Sequence, residues 1–236
     1  MLHFSTITTA TRKENYKAMT DNKITELFDL LDKWRHFPAY QLERRADIFF
    51  AVFLKQIIHS MYNIAIDMII PEFPVRVGAV HNIDINKSYK IDYVCVNQQA
   101  QKVFLTELKT DVHSRRPKQD DYLTRAQGIN ISGLVDGLIK IYNATYQKSK
   151  YLNLLHEIEK LGWININGDV VTNLHAKYNV EILYIQPEKH PDDTNEVITF
   201  DNVISILRTN SDSLSHRFIK SLELWKVNPN EIVRHP

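Results

Sequence analysis

Two neighbouring segments, Tyr89–Val96 and Lys102–Lys109, are dense in Val, Ile, Tyr, Phe and Thr and are separated by the polar run Asn97–Gln101. The pattern predicts a β-hairpin. It constrains the fold more than any other feature, because strand register decides which side chains can meet. A hairpin symmetric about Gln99-Ala100 pairs Val96 with Val103 and sets Asp92 opposite Glu107. Opposed Cβ atoms lie about 5 Å apart, a distance at which like charges destabilise, so a cation is expected between them. Alternation along the second strand puts Val103, Leu105, Glu107 and Lys109 on one face, which brings Lys109 to both carboxylates.

Two hard oxygen donors with open positions suit Mg²⁺ or Mn²⁺, ions that keep several waters and take phosphate oxygens in the remaining sites. Zinc chemistry has no support: the ten histidines are scattered, with no HExxH pair and no Cys/His cluster at finger spacing. A lysine beside such a site can orient a water, help to deprotonate it where its own pKa is depressed, or compensate developing charge.

Around the hairpin the chain alternates helix and strand patterns. Ile24, Leu27, Phe28, Leu30 and Leu31 predict a short amphipathic helix ending near Phe37-Pro38. Gln41 to Tyr62 predicts a longer one, with residues 43, 47, 50, 54, 57, 58 and 61 on one stripe and core aromatics Phe49, Phe50 and Phe53. Met68–Val77, interrupted by Pro71 and Pro74, suits an edge or irregular strand. A helix is expected from Pro117 to about Tyr146, opened near Ser114 and broken up by Gly128, Gly133 and Gly137. Asn167-Gly168 marks a minor hairpin within Trp163–Val171, Val180–Ile185 is a buried strand, and Val203–Leu207 and Phe218–Trp225 are closing helical pieces. Residues 1–20 are polar and Thr-rich and are expected to form a flexible arm, leaving 21–236 as a single domain.

These residues resemble the PD-(D/E)xK nuclease superfamily, with its restriction-endonuclease-like fold. Ile91-Asp92 is similar to the first half of that motif, and Glu107-Leu108-Lys109 matches the ExK half fifteen positions on. The order from Gln41 to Ile185, helix, three strands, helix, strand, is also that of the family. The resemblance implies an α/β fold with a mixed central β-sheet flanked by helices (αβββαβ). It implies a metal-dependent nuclease, acting on DNA with Mg²⁺ or Mn²⁺. Asp92, Glu107 and the Leu108 backbone carbonyl would be metal ligands and Lys109 the catalytic lysine. Glu43 or Asp47 would supply the acidic residue that many members carry on the first core helix. Members also carry a glutamine, often followed by a tyrosine, on the helix after ExK; the candidates here are Gln119 with Tyr122, and Gln127. The cations Arg115, Arg116 and Lys118 lead into that helix and are expected to hold phosphate.

Other readings compete with this one. The trio could form a solvated cross-strand ion cluster contributing about 0–1 kcal/mol, although the strand bearing it is too apolar for free solvation. A chain of this fold could also be a nucleic-acid-binding or structural module without turnover. A small-molecule phosphohydrolase is disfavoured by the lack of a Gly-rich phosphate loop. His81, His113 and the lone Cys95 carry no functional pattern, Cys95 being a strand filler. Composition sets the outer bounds. With 44% apolar and 24% charged residues the chain suits a globular fold, and a net charge of +1 means that nucleic acid would be met by a local basic patch. That modest charge points to a homodimer or a partner for full binding. No run approaches the roughly 18 apolar residues of a membrane span, and no signal-peptide pattern opens the chain, so a cytoplasmic protein is expected.

Overall fold

The computed structural model describes residues 9–111 and 114–226. Within it the chain falls into two compact units, Leu54–Thr199 and a helical unit formed by the segments on either side. The division is finer than the single domain expected over 21–236.

The helical unit contains α1 (Thr9–Trp34), α2 (Leu42–Tyr62) as far as Phe53, α6 (Phe200–Leu207) and α7 (Ser213–Trp225). Its core is aromatic: Phe218 lies 5.0 Å from Phe50, 5.8 Å from Phe28 and 5.9 Å from Phe53, ring centre to ring centre. Phe28 and Leu31 are the buried members of the α1 pattern, whereas Leu27 and Leu30 face outwards. Residues 9–20 belong to α1 and do not form the arm expected from their composition. Their apolar period is missing because residues 16–20 are exposed. Thr20 is accommodated by donating its hydroxyl to the Tyr16 carbonyl one turn back, at 2.9 Å.

The sheet unit is α/β. It contains β1 (Met68–Arg76), α3 (Val77–His81), β2 (Ser88–Asn97), β3 (Lys102–Leu108), α4 (Pro117–Ala144), α5 (Ser149–Lys160), β4 (Ile164–Asn167), β5 (Val170–Asn173), β6 (Asn179–Gln186) and β7 (Glu196–Thr199). Five strands form a mixed sheet in the order β1-β2-β3-β6-β7, antiparallel through β3 and parallel from there on. The proline-containing β1 lies at an edge, where a residue without an N–H is tolerated. β6 joins β3 in parallel after a long connection that contains α4, α5 and the β4–β5 hairpin, as parallel pairing requires. On the α4 side, Val94, Val96, Val103, Leu105 and Ile182 bury against Leu123, Ala126, Leu134 and Leu138. On the opposite face Tyr62, at the end of α2, stacks on Phe104 at 5.3 Å.

Three details depart from the expected elements. The minor hairpin is closed by Gly168-Asp169, since Asn167 pairs with Val170; Gly168 takes φ +57 in the first central position, which only glycine adopts without strain. Arg116, and not Ser114, is the N-cap of α4, and it makes no side-chain cap bond. α4 is kinked at Asn130 (φ 59, ψ 179) and not at a glycine. Gly137 serves close approach: a Cβ there would stand 3.1 Å from Arg76 Cβ. Helices α3 and α5 and strand β7 lie outside the expected elements and complete the unit; α3 and β7 are short, whereas α5 is amphipathic, with Leu155 and Ile158 buried. No helix among the described residues is long and apolar enough to cross a membrane.

Candidate active site

The β2–β3 ladder runs from Asn97↔Lys102 to Tyr93↔Thr106, with Val96 opposite Val103, which is the expected register. The next step would pair Asp92 with Glu107, and there the ladder gives way to side-chain chemistry. Asp92 Oδ2 accepts the Leu108 backbone N–H at 2.8 Å. The cause lies in the strands themselves. Ile70 and Phe73, and likewise Ile91 and Val94, are three residues apart yet share one buried cluster. Both strands therefore change face at this point, with Glu72 at φ +51 between Pro71↔Tyr93 and Phe73↔Ile91. Asp92 leaves the regular pleat and turns towards β3.

Glu107 is 1% exposed and points to the α4 side of the sheet. Tyr122 Oη lies 2.9 Å from its Oε1 and 3.0 Å from the Lys90 carbonyl; its single proton serves one of them at a time. Gln119 Nε2 donates to Oε2, and Lys109 Nζ lies 3.4 Å from the same oxygen. Lys109, 4% exposed, also donates from Nζ to the Leu108 carbonyl at 2.7 Å, while its backbone N–H bonds Ile185 at 2.8 Å and extends the parallel pairing beyond β3. Burial, reinforced by the negative charge of Asp92, pushes the Glu107 carboxyl up to about 8, against the opposing pull of Lys109 and the Tyr122 hydroxyl. Tyr122 is pushed up in turn, by burial first and by Glu107 next. The pair carries one more negative charge than Lys109 neutralises, and at neutral pH the deficit is met by a proton.

That surplus charge on two oxygen-bearing side chains fits a divalent cation of the hard class, which would take the place of the proton. The residues able to hold it are Asp92 and Glu107, with the Leu108 carbonyl as a third donor once Lys109 Nζ shifts from it. Among the described residues no three His, Cys, Asp or Glu side chains come together as a metal-binding group. Glu43 and Asp47 stand on the first turns of α2, in the helical unit, where Asp47 Oδ1 accepts the Ile48 N–H at 2.6 Å. Glu72, exposed and paired with Lys90 at 3.0 Å, is an acid beside Asp92 that the sequence did not single out.

The remaining expected site residues separate into two groups. Gln119 and Tyr122 reach Glu107. Gln127 does not: its Nε2 donates to the Val180 carbonyl at 2.8 Å, and Asn130 Nδ2 donates to the Tyr178 carbonyl at 2.8 Å. Asn179 N–H turns towards β3, so the neighbouring carbonyls of Tyr178 and Val180 face the side where β7 has not yet begun. The two amides satisfy acceptors that would otherwise stay unpaired. Arg116 and Lys118 are exposed, as a phosphate contact requires. Arg115 is held inwards, by Asp120 at 3.0 Å, by Asp193, and over the ring of Tyr184 at 4.0 Å. Tyr184 faces Glu107 across the β3–β6 pairing, a neighbour that only the parallel register identifies. His113 lies outside the described residues. His81 Nε2 is 3.1 Å from Tyr89 Oη. Cys95 is fully buried, its thiol pushed up to about 12 by that burial, and it fills the strand as expected.

Comparison of the chain with protein-family models, curated proteins and solved structures found no match, so its function is argued from these residues.

Proposed function

We propose that this chain is a nuclease of the PD-(D/E)xK kind that hydrolyses phosphodiester bonds, those of DNA in the first place, with Mg²⁺ or Mn²⁺ held by Asp92 and Glu107. The observation that carries the reading is the convergence of Asp92, Glu107 and Lys109 on a buried point with more negative charge than its lysine offsets. The strand order, with three antiparallel strands, a crossover helix and a parallel fourth, supports a restriction-endonuclease-like core. When bound, the ion would supply positive charge to the phosphoryl oxygens and acidify a water. The protein's own part is positional. Gln119 and Tyr122 hold Glu107 in one rotamer, the Leu108 N–H holds Asp92, and Lys109 carries its ammonium to the place where charge develops. Exposed Arg116 and Lys118 would meet flanking phosphates.

A second reading has its own support. Both Glu107 oxygens already have donors, and Lys109 already occupies the Leu108 carbonyl. A nucleic-acid-binding module that keeps the fold without turnover would look the same. Incubation with plasmid and with single-stranded DNA plus Mn²⁺ separates the two. Cleavage by the wild type that is lost in both Glu107→Ala and Lys109→Ala supports the nuclease. Binding without cleavage supports the module, and cleavage that survives both substitutions overturns the assignment of the site.

A further inference from the structure

Gln119 and Tyr122 reach Glu107 from the first turns of α4, so whatever fixes the start of that helix also fixes the carboxylate. The helix has no side-chain cap to do so. Asp120, next to Gln119, is gripped from two sides instead. Tyr184 Oη donates to its Oδ1 at 2.5 Å, and Arg115 Nε donates to its two oxygens at 3.0 and 3.3 Å. The same guanidinium stacks on the Tyr184 ring at 4.0 Å and pairs through Nη1 with Asp193. Asp193 is itself fixed, its Oδ2 accepting Gln186 Nε2 at 3.0 Å and the His190 N–H at 2.9 Å. A continuous chain of polar contacts thus runs from the loop after β6, through Arg115, to the helix start.

We propose that Arg115, Asp120 and Asp193 form a clamp of positioning residues for the Glu107 site, and that Arg115 acts through this clamp and not on a substrate phosphate. The inference rests on the nuclease reading for its effect on turnover, but the clamp itself is a property of the fold. To reach a phosphate, Arg115 would have to leave two carboxylates and an aromatic face together. Its planar fork makes Nε and Nη1 contacts while its face lies on the ring, a combination that a lysine ammonium cannot reproduce.

The test compares wild type with Arg115→Ala, Arg115→Lys and Asp193→Asn in three measurements. These are kcat and KM for DNA cleavage with Mn²⁺, DNA affinity by fluorescence anisotropy with Ca²⁺ across a salt series, and backbone hydrogen exchange without DNA. A clamp lowers kcat about 10- to 100-fold in both Arg115 variants, leaves KM and DNA affinity within about twofold, and makes the amides of Asp120–Ala126 exchange at least about tenfold faster. Asp193→Asn, which keeps the cation but loosens its hold, moves kcat and exchange in the same direction by less. Affinity that falls about tenfold in Arg115→Ala, with the salt slope reduced by about one and both restored in Arg115→Lys, would identify a phosphate contact and overturn the clamp. Unchanged exchange in all three variants would overturn it too. Should wild type cleave no DNA, the nuclease reading fails, while the exchange measurement still decides the clamp.

Discussion

Asp32 in the helical unit and Glu107 in the sheet unit are both carboxylates met by an aromatic donor and a cation, yet their surroundings differ in one respect. Asp32 accepts from Trp225 Nε1 at 2.8 Å, Arg217 Nη2 at 2.7 Å and Ser221 Oγ at 3.1 Å. The second acid on Arg217 is Asp29, whose side chain is 64% exposed and shares its charge with water. Glu107 has Tyr122, Gln119 and Lys109. Its second acid is Asp92, held beside it by the Leu108 N–H and partly buried. The first arrangement is complete as it stands and ties α1 to α7. The second holds two acids to one lysine where water cannot dilute the charge; a proton meets the excess in the metal-free protein, and the proposed cation would take its place.

The comparison is tested most strongly by Glu107→Gln. The substitution keeps the shape but removes the charge and should lower DNA cleavage on the order of 10²–10³-fold, measured with saturating Mn²⁺, while Asp32→Asn should leave kcat near that of wild type. Comparable losses from both would erase the distinction between the two regions.

Stability against pH is the next lever. Because the Glu107 carboxyl is raised from its ordinary 4.5 to about 8, the metal-free fold keeps a proton that the unfolded chain has already released between those values. Its contribution is therefore complete below about pH 4.5 and is lost as pH rises through about 8. Urea denaturation in a chelator should show this part of the stability falling by up to about 1 kcal/mol per pH unit across that window. Glu107→Gln should flatten the decline, and Mn²⁺, binding the ionised form, should oppose it. A wild-type profile no steeper than that of the glutamine variant would sink the argument.

Asp32→Ala should cost about 2–3 kcal/mol, because it takes the acceptor from the buried Trp225 N–H and leaves Arg217 with the exposed Asp29 as its remaining acid. A midpoint shift at constant m-value would report it. The smallest effect is expected at Gln127. Its replacement by Ala should cost about 1 kcal/mol for the lost bond to the Val180 carbonyl and leave cleavage unchanged; a drop in kcat would return it to the active site.

The sequence carried some of this directly. The hairpin register followed from period-two patterning around a polar turn, and the shared face of Glu107 with Val103 and Leu105 came with it, since alternation is a local property of an extended chain; Asp92 reaches the same point only by leaving the pleat. The edge position of β1 was legible in Pro71 and Pro74. Gln119 and Gln127 could not be told apart, because both lie on an amphipathic helix and which carbonyl or carboxylate each meets depends on how α4 docks on the sheet and on where β7 begins. Arg115 looked like a phosphate-binding cation because its partners, Asp193 and Tyr184, lie 78 and 69 residues further along the chain.

Sequence alone thus determined which residues could share a strand face and which charges would be forced together at its end. Only the tertiary structure decided what those charges experience. The change of face at Glu72 and Asp92, the parallel pairing of β6 and the docking of α4 remove Glu107 from water, and it is that desolvation beside a second carboxylate, a non-local quantity, that turns a cross-strand pair into a candidate cation site.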